Sequence, residues 1–306
     1  MLAPALRATL WSLFAAGTLV AQPRPMTFLD AQHLRAAGAP ALSPDGGAML
    51  FTLSVPDWKE ARRFTDVWVV STAEGVASAR QLTFTKDKNE TNPRWSTDGR
   101  FFVFSSNREG TGAAATQQLY VMHPDGGEAR KITDAKNGVG QFAFSRDGKW
   151  LVFGVGKSDE QQLWALPAGE IEAGEPTAVQ LTKHATPIGW WSLSRDGSRI
   201  FFLSVDTAAT DRKNRLEKGF NVAVRNEDLP LQHLWVFEME ARTEQRLTEG
   251  PEYSVGGVTL SDDGRWVGFR GAPNNRYSRT VTESGMHDDL YLLEVGSRKI
   301  ERLTNN

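Results

Sequence analysis

A five-fold repeat of a short turn sequence constrains the fold of this chain more than any other feature. Each copy consists of an apolar or aromatic residue, Ser, one variable residue, Asp and Gly. The clearest copy reads Trp-Ser-Thr-Asp-Gly and is followed by the β-rich run 101–105. The five copies lie at residues 42–46, 95–99, 144–148, 193–197 and 260–264. Five copies of one turn sequence predict a repeat architecture.

The residue preferences of β-turns explain the amino-acid sequence of this repeat. Ser, a variable residue and Asp suit the first three positions of a type I turn. Gly at the fourth position takes the positive φ that converts the turn into a bulged hairpin. We therefore interpret the five aspartates as turn formers and not as catalytic acids: Asp45, Asp98, Asp147, Asp196 and Asp263.

A second element, a polar residue followed by an aliphatic residue and Thr, ends each repeat. It occurs at residues 81–83, 131–133, 180–182, 246–248 and 302–304, and an alternating strand precedes each copy. Four β segments therefore recur per unit, and successive turn glycines are 53, 49, 49 and 67 positions apart. This period predicts an all-β fold, a β-propeller of four-stranded blades. Five blades are visible, at approximately 40–83, 91–133, 140–182, 189–248 and 256–304.

Differences in length between the repeats indicate a functional face. The distance from each terminal threonine to the next turn glycine is always 15 or 16 residues. We expect all substantial length variation between the second and third strands, which are joined by 156–160 in repeat 3. Insertions fall at 204–232 in repeat 4 and 271–287 in repeat 5. These connections emerge on one face, beside the blade-to-blade crossovers, which predicts that this is the working face.

The insertion in repeat 4 is strongly polar and leaves two interpretations open. Arg225, Glu227 and Asp228 are charged groups that could contact a partner or a substrate. The other interpretation is a solvated excursion with a short helix and a strand extension, which the charge pattern favours because charge runs usually face water.

The N-terminus predicts export. Arg7 is followed by the apolar run 8–21 and then by a segment with two prolines, the pattern of a secretory signal peptide at residues 1–21. Cleavage after Ala21 is expected, with cleavage after Gly17 and an uncleaved anchor as alternatives. The resulting localisation is periplasmic or extracellular.

Residues 22–39 are predicted to form a short helical entry segment. Thr27 is the expected N-cap, with Asp30 three residues later. The alanine-rich continuation is expected to remain helical as far as Gly38 and Pro40, where proline ends a helix.

The sequence shows no catalytic, cofactor-binding or metal-binding signature. There is no Gly-x-Ser-x-Gly elbow, and its nearest approximation, residues 282–286, lacks the flanking glycines. The five histidines have no ligand spacing; His233 opens a strand and is interpreted as a packing or capping residue. Residues 287–289 (His-Asp-Asp) could bind a cation, although turn and strand-edge roles are favoured. With a net charge of −2, nothing points to nucleic acid or an anionic membrane.

The repeats resemble those of TolB-type propellers and of the N-terminal propellers of prolyl-oligopeptidase-family (S9) serine peptidases. The resemblance covers nearly all of the chain after the signal peptide. Three segments resemble the secreted acylaminoacyl-peptidase and dipeptidyl-peptidase-5 type in particular. They are the opening 26–46, the second-blade segment 107–128 and the segment 226–235 of an enlarged fourth blade.

In that family a propeller of seven or eight blades caps a C-terminal α/β-hydrolase domain, which carries the catalytic Ser, Asp and His. The resemblance therefore implies a truncated larger propeller, inactive by itself, that gates access of short peptides to the missing hydrolase domain. No family catalytic residue matches a position here. Open flanks on the terminal blades are expected to make the chain alone poorly soluble or homo-oligomeric. A TolB-like periplasmic propeller that binds proteins without enzymatic activity is the alternative.

Overall fold

The computed structural model describes residues 24–110, 115–174, 176–220, 222, 230–273 and 287–305. The chain divides into two units, Met1–Leu34 and Arg35–Asn306. The predicted signal peptide, residues 1–21, lies outside the described residues. All the β-strands among these described residues belong to the second unit.

The first unit contains one short helix, α1 (Phe28–His33). Thr27 caps it as predicted: the Asp30 amide donates to the Thr27 hydroxyl, and the Asp30 carboxylate accepts from the Thr27 amide at 2.8 Å. The expected continuation to Gly38 is wrong, because Ala36–Leu42 is a β-strand that pairs with Ala48–Asp57. Strand pairing overrides the helix propensity of alanine at these positions.

Five four-stranded antiparallel sheets, each in chain order, make up the second unit. Blade 1 consists of β1 (Ala36–Leu42), β2 (Ala48–Asp57), β3 (Arg62–Ser71) and β4 (Arg80–Gln81). Blade 2 consists of β5 (Glu90–Trp95), β6 (Phe102–Ser106), β7 (Gln118–His123) and β8 (Gly126–Lys131). Blade 3 consists of β9 (Val139–Phe144), β10 (Trp150–Val155), β11 (Gln162–Pro167) and β12 (Val179–Gln180).

Blade 4 consists of β13 (Ile188–Leu193), β14 (Arg199–Val205), β15 (Gln232–Glu238) and β16 (Thr243–Arg246). Blade 5 consists of β17 (Tyr253–Leu260), β18 (Trp266–Pro273), β19 (Asp289–Glu294) and β20 (Lys299–Arg302). Two further short helices lie between strands, α2 (Ala168–Ala173) in blade 3 and α3 (Thr210–Glu217) in blade 4. The prediction of an all-β fold with five four-stranded blades is confirmed.

The same hydrogen-bond network closes the first hairpin of every blade. In blade 3 the Gly148 amide donates to the Ser145 carbonyl at 3.0 Å, and the Ser145 hydroxyl donates to Asp147 Oδ1 at 2.6 Å. The Trp150 amide then donates to the Ser145 hydroxyl at 2.9 Å. The turn glycines all have positive φ, between 67° and 76°. The interpretation of the five aspartates as turn formers is confirmed, because each accepts its serine hydroxyl.

Apolar side chains on both faces of the inner strands hold neighbouring blades together. In β6, Phe102 and Phe104 pack on blade 1, whereas Val103 points towards blade 3 together with Phe101. In β14, Phe202 packs on blade 3 and the next residue, Leu203, on blade 5. Successive strand residues point to opposite faces, so a strand that is buried on both faces must be continuously apolar. This explains the uninterrupted apolar runs of the sequence.

Length variation is not confined to the second-to-third connections, so that expectation is wrong. The third-to-fourth connection of blade 3 contains α2, whereas only two residues join β7 to β8 in blade 2. Ile171 of α2 is fully buried between blades 2 and 3. Arg130 of β8 donates to the Ile171 and Gly174 carbonyls at the end of this helix, and Arg100 pairs with Glu172 at 2.9 Å. The insertion therefore braces two blades.

We expect Ile171→Ala to destabilise the protein by about 3 kcal/mol, because it leaves a cavity at this seam. Urea denaturation would measure the loss. Val76→Ala, at a side chain that is 89% exposed, is the matched control and should change stability by less than about 0.5 kcal/mol. A loss below about 1 kcal/mol for Ile171→Ala would show that α2 does not brace the blades.

Candidate functional site on the loop face

The antiparallel order of each sheet defines two ends of the blades. We call the end that carries the five Ser-x-Asp-Gly turns the turn face. We call the opposite end, where each second strand ends and each third strand begins, the loop face. The second strands end there at Asp57, Ser106, Val155, Val205 and Pro273.

Three blades have enlarged structure at the loop face. The connections after Val205 and Pro273 are long, as predicted, and the first contains α3. Blade 1 is also enlarged, which the sequence analysis missed. The paired ten-residue strands β2 and β3 extend past β1, whose first residue pairs with Ser54. The tip of this hairpin carries Trp58, which is 52% exposed.

A threonine clamp ties the outer strand to the middle strand of every blade at the loop face. In blade 3, Thr182 Oγ1 accepts the Leu163 amide at 2.9 Å and donates to Gln162 Oε1 at 3.0 Å. The threonine is the last residue of the polar-aliphatic-Thr element, and the amide belongs to an apolar residue of the middle strand that directly follows a polar one. The same amide bond is made by Thr83, Thr133, Thr182, Thr248 and Thr304.

The residue immediately before the clamped amide completes the clamp in every blade. Asp66, Gln118, Gln162 and Asp289 each accept the threonine hydroxyl. In blade 4 that position is His233, fully buried, with Nδ1 3.1 Å from Thr248 Oγ1. The interpretation of His233 as a capping histidine is confirmed. The signal for this contact was the polar residue that recurs in every repeat directly before the residue whose amide is clamped.

His233 lies next to the ion pair that Asp206 and Arg246 form in blade 4. Its Nε2 is 3.5 Å from Asp206 Oδ2, and Asp206 also pairs with Arg246 at 3.0 Å. Burial, followed by the charge of Arg246, lowers the pKa of His233. This shift favours the neutral ring, whose Nδ1 can accept the threonine hydroxyl.

A buried carboxyl group at the seam between blades 1 and 2 is the most unusual group of the loop face. Glu90, the first residue of β5, is 0% exposed. Its Oε1 accepts the Ser106 hydroxyl at 3.0 Å and lies 3.4 Å from an amino nitrogen of Arg108. Its Oε2 has no hydrogen-bond partner among the described residues. Removing a carboxylate from water in this way is costly unless it is paired.

Arg108 is held rigidly beside this carboxyl group. Its guanidinium carbon lies 5.2 Å from the Phe104 ring centroid and 4.6 Å from that of Tyr120. A small cavity of about 200 Å³ adjoins it, lined also by Thr85, Met122 and Glu128. Stacking fixes the direction in which the guanidinium presents its donors.

Two neighbouring acids at this seam, Asp66 and Glu90, both have raised pKa values. An isolated bridge between Thr65 and Asn89 places Asp66 of blade 1 beside Glu90 of blade 2. Burial raises the pKa of Glu90, and the charge of Asp66 raises it further, whereas Ser106 and Arg108 oppose the shift. Burial also raises the pKa of Asp66. Two close carboxyl groups that resist ionisation can hold a proton between them.

We expect Glu90→Gln to stabilise the protein at high pH. Because the folded-state pKa of Glu90 is raised, its contribution to stability is largest at low pH and is lost as pH rises through that pKa. The amide keeps the Ser106 bond and cannot ionise, so the variant should gain about 1 kcal/mol over the wild type at about pH 8 and nothing below about pH 4, where the unfolded chain is also protonated at this position. Urea denaturation at both pH values would measure this.

Glu60→Gln, at a half-exposed glutamate of the blade 1 hairpin, is the matched control for the chemical change and should alter stability by less than about 0.5 kcal/mol. A Glu90→Gln variant that is less stable than the wild type at about pH 8 would show that the ionised pair with Arg108 dominates at this seam.

Several residues considered in the sequence lie outside the described residues: Arg225, Glu227, Asp228 and the segment 282–286. His287 is exposed, whereas Asp288 pairs with Arg270 at 3.0 Å and Asp289 with Arg302 and Thr304. Both aspartates therefore form ion pairs, and Asp289 is also the first residue of β19. The described part of the chain contains no cluster of three or more His, Cys, Asp or Glu side chains arranged to hold a metal ion. It also contains no helix long and apolar enough to cross a membrane.

The architecture defines the class of protein: a β-propeller of four-stranded blades. The chain matches none of the protein-family models with which it was compared. It resembles the propeller domain of the Trilobed protease from Pyrococcus furiosus, with a TM-score of 0.54 and 15% identity over 88% of this chain and 71% of that one. A protein described as TolB from Agrobacterium tumefaciens has a TM-score of 0.51 and 18% identity over 89% of this chain and 81% of that one.

The curated sequence relatives are peptidases. The uncharacterized peptidase YuxL of Bacillus subtilis is 33% identical over 142 residues, which are 46% of this chain and 20% of YuxL. Dipeptidyl-peptidase 5 of Porphyromonas endodontalis is 28% identical over 116 residues, 38% of this chain and 16% of that protein. The matched segments span at most about a fifth of these relatives. The resemblance recognised in the sequence is confirmed: the chain has a propeller fold and is similar in sequence to S9-type peptidases.

Proposed function

We propose that this chain is the substrate-gating propeller portion of an exported S9-type serine peptidase that acts on short peptides, and that it is inactive by itself. The similarity to YuxL is the observation that carries this proposal. The matched part of YuxL is a fifth of that protein, which leaves room for a hydrolase domain elsewhere in a longer chain. Hydrolysis would then proceed by acyl transfer through a Ser-His-Asp triad outside residues 1–306.

The loop face supports a gating role because it combines rigid blades with enlarged connections. Thr83 and Thr248 tie the outer strands to the middle strands at this end, so the blades form a fixed frame. The hairpin of blade 1 and the connections of blades 4 and 5 extend from that frame. Variable connections on a rigid scaffold are the usual place for recognition. We propose that they border the entrance for peptides.

We also propose that the chain is exported and that it self-associates when it is expressed alone. The apolar run 8–21 behind Arg7 supports a signal peptide and a periplasmic or extracellular location. Exposed leucines on the first and fifth blades support the expectation that the chain alone forms homo-oligomers. They are Leu42, Leu290 and Leu303, which are 60%, 53% and 54% exposed.

A TolB-like propeller that binds proteins without enzymatic activity is the second candidate. The similarity to the Agrobacterium protein favours it, because the match covers 81% of that chain and the fold there accounts for most of the molecule. Fold similarity at 18% identity does not transfer a function.

A serine-directed fluorophosphonate probe distinguishes the two candidates. We expect the full product of the natural gene to be labelled and to hydrolyse dipeptide anilides, because the proposed triad activates its serine. Residues 1–306 expressed alone should show neither label nor turnover. Heat-denatured gene product is the control for non-specific labelling.

Turnover by residues 1–306 alone would contradict the proposed inactivity. An unlabelled, inactive full gene product would overturn the peptidase proposal and favour the binding propeller.

A further inference from the structure

The turns of four blades share a contact that blade 1 lacks. In each turn the aspartate uses Oδ1 to hold the turn itself. Its second oxygen, Oδ2, is contacted by the side chain two positions further on. These contacts are Arg100 to Asp98 at 2.6 Å, Lys149 to Asp147 at 3.3 Å, Ser198 to Asp196 at 2.8 Å and Arg265 to Asp263 at 2.7 Å.

In blade 1 the corresponding residue is Gly47, which has no side chain to offer. Asp45 Oδ1 accepts the Ser43 hydroxyl at 2.5 Å and the Gly47 amide at 3.0 Å. Within the described chain, Asp45 Oδ2 has no donor. A Cβ added at Gly47 would lie 3.3 Å from that oxygen. The missing side chain therefore leaves a space beside the carboxylate.

That space is part of a cavity of about 460 Å³ on the turn face, at the seam between blades 1 and 2. Its volume lies within the range of ordinary ligand sites. The walls combine an indole with small apolar residues and several acids. The lining includes Asp45, Ala48, Val69, Trp95, Asp98 and Asp125.

No described side chain forms an ion pair with Asp45 in this cavity. Arg80 also lines the cavity, but its guanidinium donates to the Pro124 carbonyl at 2.7 Å and the Asp125 carbonyl at 3.2 Å. Asp98 already pairs with Arg100. Trp95 is fixed by a hydrogen bond from its indole nitrogen to the Ala41 carbonyl at 2.9 Å. A fixed aromatic wall beside an unpaired carboxylate suits a cation on an aliphatic stem.

We propose that this cavity binds the side chain of a lysine or arginine from a polypeptide partner. The cation pairs with Asp45 Oδ2, taking the position that Arg100, Lys149 and Arg265 occupy in their own blades. The aliphatic stem lies against Trp95 and Ala48. The site is on the turn face, opposite the loop face to which gating is assigned, so it stands whether or not the chain belongs to a peptidase.

The test uses the full chain and a capped Gly-Lys-Gly peptide, with capped Gly-norleucine-Gly as the uncharged probe. We expect the lysine peptide to shift the indole N–H resonance of Trp95, assigned with Trp95→Phe, and the norleucine peptide to leave it unchanged. Calorimetry gives the affinity. Equal binding of both peptides, or no binding of either, would overturn the proposal.

Two variants locate the site. Gly47→Arg restores the side chain found in blades 2 and 5 and should weaken lysine binding by roughly tenfold or more, as should Asp45→Asn. Asp263→Asn is the matched control in blade 5, where Arg265 already holds the carboxylate, and should leave binding unchanged. Undiminished binding by Gly47→Arg or Asp45→Asn would contradict the assignment.

The Gly47→Arg variant is expected to fold, so a loss of binding can be assigned to the site. Gly47 lies outside the left-handed region of φ, and an added Cβ would meet only the Asp45 side chain. The Asp45 carboxylate must shift by a few tenths of an ångström to admit that Cβ, and Gly47→Arg should unfold close to the wild-type temperature. If that variant did not fold, Asp45→Asn alone would decide the question.

Discussion

Burial of both faces of the inner strands is the constraint on which the rest of this structure depends. One face of a four-stranded sheet cannot stabilise it alone, and here each interior blade packs apolar side chains against two neighbours. Phe102 and Val103, adjacent in β6, contribute to different seams. Dispersion and hydrophobic burial act only between groups in contact. Each blade is therefore stabilised by its immediate neighbours in the chain.

Polar contacts then fix the strand register and the strand ends, which apolar packing alone does not determine. The serine–aspartate turns set the register of each first hairpin, and the threonine clamps tie each outer strand at the opposite end. The two devices leave the turn face and the loop face with different chemistry. At the turn face, Asp45 lacks the partner that the other blades provide. At the loop face, Glu90 is buried beside Asp66 and Arg108 with one oxygen unpaired.

Repetition made most of the fold predictable from the sequence. Five turns and five terminal threonines gave the strand number, the blade number and the role of His233, because one local pattern had to fit all five blades. The helix expected to continue to Gly38 failed because alanine also suits a strand once β2 is available to pair with it. Helix α2 was missed because its six residues include Gly169 and carry a weak periodic signal.

The site was less predictable than the fold. The burial of Glu90 depends on side chains from across a seam, which spacing along one repeat does not reveal. Comparison of the five repeats shows that Gly47 lacks the side chain that the other blades have at this position. The cavity beside it is also lined by Trp95 of the next blade, which the sequence does not reveal. Features within a repeat could be read from the sequence, whereas features between repeats required the structure.

A crystal structure of the full gene product tests the central claim most directly. Our account predicts an α/β-hydrolase domain whose catalytic serine faces the loop face, beside Glu90 and the hairpin tip at Trp58. A product with no hydrolase domain, or one whose catalytic serine opens towards the turn face, would contradict it.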